Sequence, residues 1–261
     1  MKKKWLAILC AITAMLCLCA CGKTATEQSD LSYIQENGKM RIGYTVYAPM
    51  NYTDEKGTFV GFDTELATAV CEKLGVTPEF VEIDWNTRYT ELSAKSIDCV
   101  WNGMTLTEDI EAQTACTKPY AKNAQVLVVR ADSGIASSKD LEGKTVVVET
   151  GSAGQETAES DAALSKATLI TKTVQTDCLL EVKAGTADAA VLDLTLASAM
   201  VGEGTDYADL EILQELNSEE YGVAFRKGSD AAAAVDEIFD ELQQDGTMQA
   251  LAEKYGLVLA Q

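Results

Sequence analysis

From position 39 onward the chain alternates short β-branched or apolar runs with stretches of helical period, and this alternation restricts its fold more than any other feature. The runs fall at 40–46, 79–83, 99–101, 125–129, 145–148, 169–171 and 189–192. Strands interleaved with helices in this way assemble into an α/β fold. The clearest helix is predicted over 64–74, where Leu66, Ala67, Val70, Cys71 and Leu74 share one face, Asp63 is a candidate N-cap and Gly75 follows the end. A second is predicted over 230–244, with Val235, Ile238, Phe239 and Leu242 at i, i+3, i+4 and i+7. A third spans 88–95. No internal repeat is present.

The first residues read as an address. Lys2, Lys3 and Lys4 precede an apolar run over 5–20, broken by Thr13 and ended by Cys21 and Gly22, which is the layout of a secretory signal peptide. The run is shorter than the ~20 residues a spanning helix needs, and nothing later supplies a second candidate. The segment Leu18-Cys19-Ala20-Cys21 resembles the bacterial lipobox, which implies a signal over 1–20, acylation of Cys21 (palmitate being a typical chain) and a lipid-anchored flexible tether over 21–37. Four of the eight cysteines, Cys10, Cys17, Cys19 and Cys21, then belong to the signal region. Of the rest, Cys71 and Cys99 sit in apolar patterns as small core residues, and a Cys99–Cys116 bridge is left open.

Charge and composition remove whole classes of function. The chain holds 41 Asp plus Glu against 21 Lys plus Arg, a net charge of −20, so it repels phosphate backbones and is not expected to bind nucleic acid. It contains no histidine, which eliminates Ser-His and Cys-His nucleophile pairs and the commonest zinc ligand. The acidic residues lack calcium-loop spacing, and the thiols are not grouped, so neither a metal nor a cofactor is expected. The polar residues of interest lie just after strands, where open α/β sheets place their ligand sites. These are Asp193, the segment Asn102-Gly103-Met104-Thr105, and Thr150-Gly151-Ser152-Ala153-Gly154. The last is either an anion site at a helix start or a plain turn.

The order of motifs from about Lys39 to Leu257 resembles the type II periplasmic solute-binding proteins, specifically the polar amino-acid receptors of ABC importers. The resemblance rests on Gly61-Phe62-Asp63-Thr64-Glu65-Leu66, Met104-Thr105-Leu106-Thr107-Glu108, Pro119-Tyr120, Asp140-Leu141-Glu142-Gly143-Lys144, Thr150-Gly151-Ser152, Ala187 to Asp193, and Tyr221 to Gly228, among others in the family's order. It implies two α/β lobes, each a mixed sheet flanked by helices, joined by crossing strands near 122–127 and 217–223. Lobe one would comprise 38–122 and 222–261, and lobe two 123–221. Ligand contacts to both lobes would then favour a closed state that a membrane permease reads. Residue by residue, Tyr47 and Trp85 match the aromatic pair that sandwiches the ligand side chain. Asn102, Gly103, Met104 and Thr105 match the segment that receives its ammonium, Ser152 and Ala153 the loop that receives its carboxylate, and Asp193 the carboxylate for the α-ammonium.

Two departures bear on the ligand. The arginine that the family pattern places three residues after Thr107, to clamp the α-carboxylate, is Ile110 here, and an acidic position near the first strand is Tyr44. Arg88 is a candidate replacement for the clamp, or else a solvated charge on its helix. The leading expectation is a non-catalytic, monomeric importer receptor for an amino acid or related small amine-bearing solute, partnered by permease and ATPase subunits at the outer face of the membrane. The alternatives are a same-fold enzyme of the cyclohexadienyl dehydratase type, with Glu149 or Asp193 as its acid, and a ligand receptor for a sensor protein.

Overall fold

The computed structural model describes residues 28–260; the signal segment, Cys21 and the tether up to position 27 lie outside the described residues. Thirteen strands, β1 (Lys39–Tyr44), β2 (Tyr52–Thr53), β3 (Phe59–Val60), β4 (Thr77–Glu82), β5 (Cys99–Thr105), β6 (Thr114–Cys116), β7 (Ala121–Asn123), β8 (Gln125–Arg130), β9 (Thr145–Glu149), β10 (Thr168–Lys172), β11 (Ala189–Asp193), β12 (Leu210–Glu215) and β13 (Glu219–Arg226), form two main sheets and a small hairpin. The first sheet runs β4-β1-β5-β13-β6, with β7 also on β13; β1 is parallel to β4 and β5, while β13 is antiparallel to its neighbours. The second runs β10-β9-β11-β8-β12, parallel across β10, β9 and β11 and antiparallel from β11 onward.

The central strands are those whose sequences are apolar at successive positions. Every residue of β5 and of β11 is buried, as expected for strands covered on both faces by helices. Helix Phe62–Leu74 and helix Ala231–Gln244 cover the first sheet, burying Leu66, Val70, Val235 and Ile238, and Trp101, Phe239 and Tyr120 meet edge-on beneath them. The second sheet has its own cluster of Leu127, Val129, Val146, Val148, Ala189 and Val191. The chain leaves the first sheet at Ala124 and returns between Leu216 and Ser218. There the two passages hold each other: Leu216 N–H donates to the Gln125 carbonyl at 2.8 Å, and Gln125 N–H to Asn217 Oδ1 at 2.7 Å. This is the two-lobe architecture.

Two expectations are corrected, and the open question of a Cys99–Cys116 bridge is answered. The tether does not extend to 37, because Asp30–Glu36 is a helix with Ile34 fully buried. Its Asp30 accepts from Arg226 Nη2 at 2.7 Å and Ser229 Oγ at 2.6 Å, so the packed body begins there. The helix expected from 64 starts at Phe62 with Gly61 as N-cap. Asp63 instead turns inward, where Gly103 N–H donates to Oδ2 at 2.6 Å and the Tyr120 hydroxyl at 3.0 Å. Cys99 and Cys116 are free thiols. Strand β13 lies between β5 and β6, so the two cysteines stand two strand spacings apart, roughly 10 Å, beyond the reach of a disulfide. Among the described residues no helix is long and apolar enough to cross a membrane, and no group of three metal-ligating side chains occurs.

Candidate functional site

A cleft lies between the two sheets. It gathers Tyr47, Trp85, Arg88, Asn102, Gly103 and Thr105 from the first sheet's side. Ser152, Ala153 and Asp193 face them from the second. Met104, read from sequence with this set, is not among the lining residues. Its side chain packs with Ile83, Leu92, Ile97 and Val100 in the core below, where an apolar chain loses more water contact than it would at a polar cleft.

The first-sheet wall is rigid. Tyr47 is 2% exposed, and its hydroxyl pairs with that of Tyr221 at 2.6 Å. Gly103, at φ +55°, is a position where a Cβ would come within 2.7 Å of the Tyr47 ring, so only glycine allows this approach. The Asn102 amide is fully engaged: it donates to Thr45 O and Asn51 Oδ1 and accepts from the Thr45 N–H and hydroxyl, all at 2.8–3.0 Å. That side chain is a brace, which leaves only its backbone free for a solute. The Thr105 hydroxyl donates to Glu219 Oε1 at 2.7 Å. Trp85 opens a short 3-10 turn capped by Asp84, whose Oδ1 accepts from Asn86 N–H. Arg88 lies 5.3 Å from the Trp85 ring and 4.6 Å from that of Tyr89, and its Nη1 donates to the Trp85 carbonyl at 2.8 Å. Its Nε is buried and has no partner among the described residues.

The opposite wall supplies a helix start and two carboxyls. Ser152 caps helix Ala153–Ser160 by accepting from Gln155 N–H at 3.1 Å, while its hydroxyl donates to Glu149 O at 2.8 Å. The first amides of that helix, Ala153 and Gly154, have no intrahelical acceptor, as at any helix start. Asp193, 6% exposed, ends β11. Its Oδ1 accepts from Asn123 at 2.6 Å and Gln125 at 2.7 Å, and its Oδ2 from the Gln175 amide. Burial, then the nearby Glu219 charge, pushes the Asp193 carboxyl up to about 7 despite these donors. Glu149, which ends β9, is 5% exposed, and its Oε1 has no partner among the described residues. Burial, then Asp193, pushes it up to about 8.

Sequence reading placed Glu149 only as the acid of an alternative reading, and it missed Gln175, which lines the cavity beside it. Gln175 opens a helix in an otherwise ordinary polar stretch, and no local signal marks it. Ile110 does line the cavity, 6% exposed, so an apolar chain stands where the resemblance implies a clamp. Tyr44 does not line it; it packs on Phe59 and Phe80. Arg88 is the one basic residue among the lining residues, against Asp109, Glu149, Glu156 and Asp193.

The model of the bacterial extracellular solute-binding proteins, family 3, matches residues 40–258. The arginine-binding extracellular protein ArtP of Bacillus subtilis is 31% identical over 258 residues, covering 97% of this chain and 98% of that protein. The crystal structure of a mutant of ArgBP from T. maritima superposes with a TM-score of 0.80 at 34% identity, covering 87% of this chain and 98% of the other. An ancestral amino acid-binding protein, AncCDT-1, described as a precursor of cyclohexadienyl dehydratase, superposes with a TM-score of 0.79 at 30% identity, covering 87% and 99%. With nearly its whole folded body matched, the chain belongs to the bacterial extracellular solute-binding proteins, family 3.

Proposed function

We propose that this protein is the extracytoplasmic receptor of an ABC importer, capturing an amino acid or a related small amine-bearing solute by closure of its two lobes and delivering it to a membrane permease. The observation that carries the reading is Asp193: a carboxyl buried at the cleft, held by three amide donors and without an ion-pair partner among the described residues. A carboxylate so placed is costly unless a cation joins it, and a solute ammonium is such a cation. The arginine-binding relative supports the same class of solute.

In this reading Tyr47 and Trp85 flank the apolar part of the solute. The Asn102–Gly103 backbone and the Thr105 hydroxyl take its remaining ammonium protons. The Ser152–Ala153 helix start and Arg88 receive its carboxylate in place of a clamp at position 110. Lobe one is 38–122 with 222–261, and lobe two is 123–221. Acylated Cys21 would hold the receptor at the outer membrane face and raise the effective concentration of its encounter with the permease. Catalysis is not part of the proposal, since the dehydratase-related neighbour is itself described as amino acid-binding.

The test is a thermal-unfolding panel of the purified protein, refolded free of carried-over solute, against the common amino acids and small amines. A solute at a hundred times its Kd adds about 2.7 kcal/mol, a shift of roughly 5–10 °C at this size. Asp193→Ala should abolish the shift for every primary amine while the far-UV spectrum is kept. Unchanged shifts in that variant would remove Asp193 from the site.

A further inference from the structure

Glu149 and Asp193 are the last residues of β9 and β11, neighbouring parallel strands of the second sheet. Offset by one residue in register, both carboxyls line the cavity at the C-terminal ends of these strands, and Gln175 serves both, donating to Asp193 and lowering the cost of a charge on Glu149. Asp193 has a full set of donors, but Glu149 does not: it is 95% buried, it lines the cavity, and its Oε1 has no partner among the described residues. Among the described residues no ion pair reaches either carboxyl. Arg88, the one basic lining residue, is turned to the Trp85 carbonyl and stacked on Trp85 and Tyr89. Glu219, behind Asp193, is already served by Thr105, Asn123 and Gln125.

A single α-ammonium balances one of the two buried carboxylates, and Arg88 balances a solute carboxylate. With both carboxyls ionised one negative charge is left over, which a second solute cation would balance and without which Glu149 keeps its proton. We infer that Glu149 is a second solute-contacting carboxylate beside Asp193, fitting the cleft to an amine-bearing solute of net positive charge over a neutral zwitterion. The inference rests on the receptor reading above and adds to it the charge of the solute and the residue that selects it.

The experiment is a calorimetric titration of the purified protein with two matched pairs, lysine against norleucine and arginine against citrulline, each pair alike in size and differing in the distal charge. Wild type should favour the cationic member by about tenfold or more, the scale of one charge-assisted contact. Glu149→Gln should bring the ratio close to one by weakening the cationic member and leaving the neutral one within about threefold. Glu149→Asp, which keeps the charge, should keep the preference, and Asp193→Asn should weaken all four compounds. A preference that survives Glu149→Gln, or equal affinities within both pairs in wild type, overturns the assignment while the amine-receptor reading stands. No binding by any of the four overturns the assignment, and the amine-receptor reading falls with it only if the thermal panel of common amino acids and small amines is silent too.

Discussion

Replacing Glu149 with glutamine removes a charge and keeps the shape, so it isolates what the ligand-free protein spends on that carboxyl. Burial, followed by the adjacent Asp193, raises it from 4.5 to about 8, with Gln175 and Arg88 opposing. A carboxyl raised above its unfolded value holds a proton in the folded chain over a pH range where the unfolded chain has released it. Stability is therefore fully present below about pH 4.5 and is lost as pH rises toward about 8. That interval, at about 1.4 kcal/mol per pH unit, sets a ceiling of about 5 kcal/mol. Asp193, raised to about 7 by burial and Glu219, falls in the same window, and the carboxyls titrate together. Urea denaturation of solute-free protein at steps from pH 4.5 to 8.5 should show wild type losing stability steeply. Glu149→Gln should match wild type to within about 1 kcal/mol at pH 4.5 and exceed it by about 2–5 kcal/mol at pH 8.5, with an unchanged m-value. Two parallel curves would refute the reasoning, because they would mean that Glu149 ionises without penalty and needs no external cation.

Three further substitutions test other parts of the molecule. Ile110→Arg should strengthen binding of common α-amino acids by about tenfold through an added bidentate carboxylate contact, read by titration; no gain would mean that Arg88 and the helix start already hold that group. Gly103→Ala, forced to keep φ +55° with its Cβ 2.7 Å from the Tyr47 ring, should cost about 2–4 kcal/mol in chemical denaturation. Arg226→Ala should cost about 3 kcal/mol and speed hydrogen exchange in Asp30–Glu36, because Arg226 Nη2 bridges Asp30 at 2.7 Å and the buried Asp98 at 3.0 Å.

The parts of the fold legible in sequence were those fixed by local pattern. The apolar runs of β1, β8, β9 and β11 and the periodic face of Phe62–Leu74 each show in a short window. Where the reading failed, a distant residue decides. Asp63 looks like a cap, but Gly61 at φ 138° takes that place, at a spot where a Cβ would meet the Met50 carbonyl oxygen at 2.0 Å. Residues 30–36 are a short stretch, and distant partners, Arg226, Ser229, Asp230, Arg41 and the core around Ile34, fix them as a helix. In β5 both faces are buried, so no alternation separates Met104, which faces core, from Thr105, which faces the cleft. The position of Glu149 at a strand end was readable, but its unpartnered oxygen arises from Asp193 and Gln175, 44 and 26 positions away.

The network around Asp193 bears on how a solute could favour closure. Asn123 ends β7 and Gln125 begins β8, so both lie on the passage between the lobes. Each donates from one amide nitrogen to Asp193 Oδ1 and to Glu219 Oε1. Glu219 begins β13, on the return passage, and also receives the Thr105 hydroxyl from the first sheet. The two carboxylates thus share the same donors at the crossing, with like charges close enough that Glu219 is the leading charge acting on Asp193. A cation bound at Asp193 relieves that repulsion at the point where both lobes are tied together, and it does so most fully when the cleft is shut and water is excluded. Under the proposed receptor function, binding energy and lobe geometry would in this way be coupled through a few polar side chains, with no need for a longer path through the core.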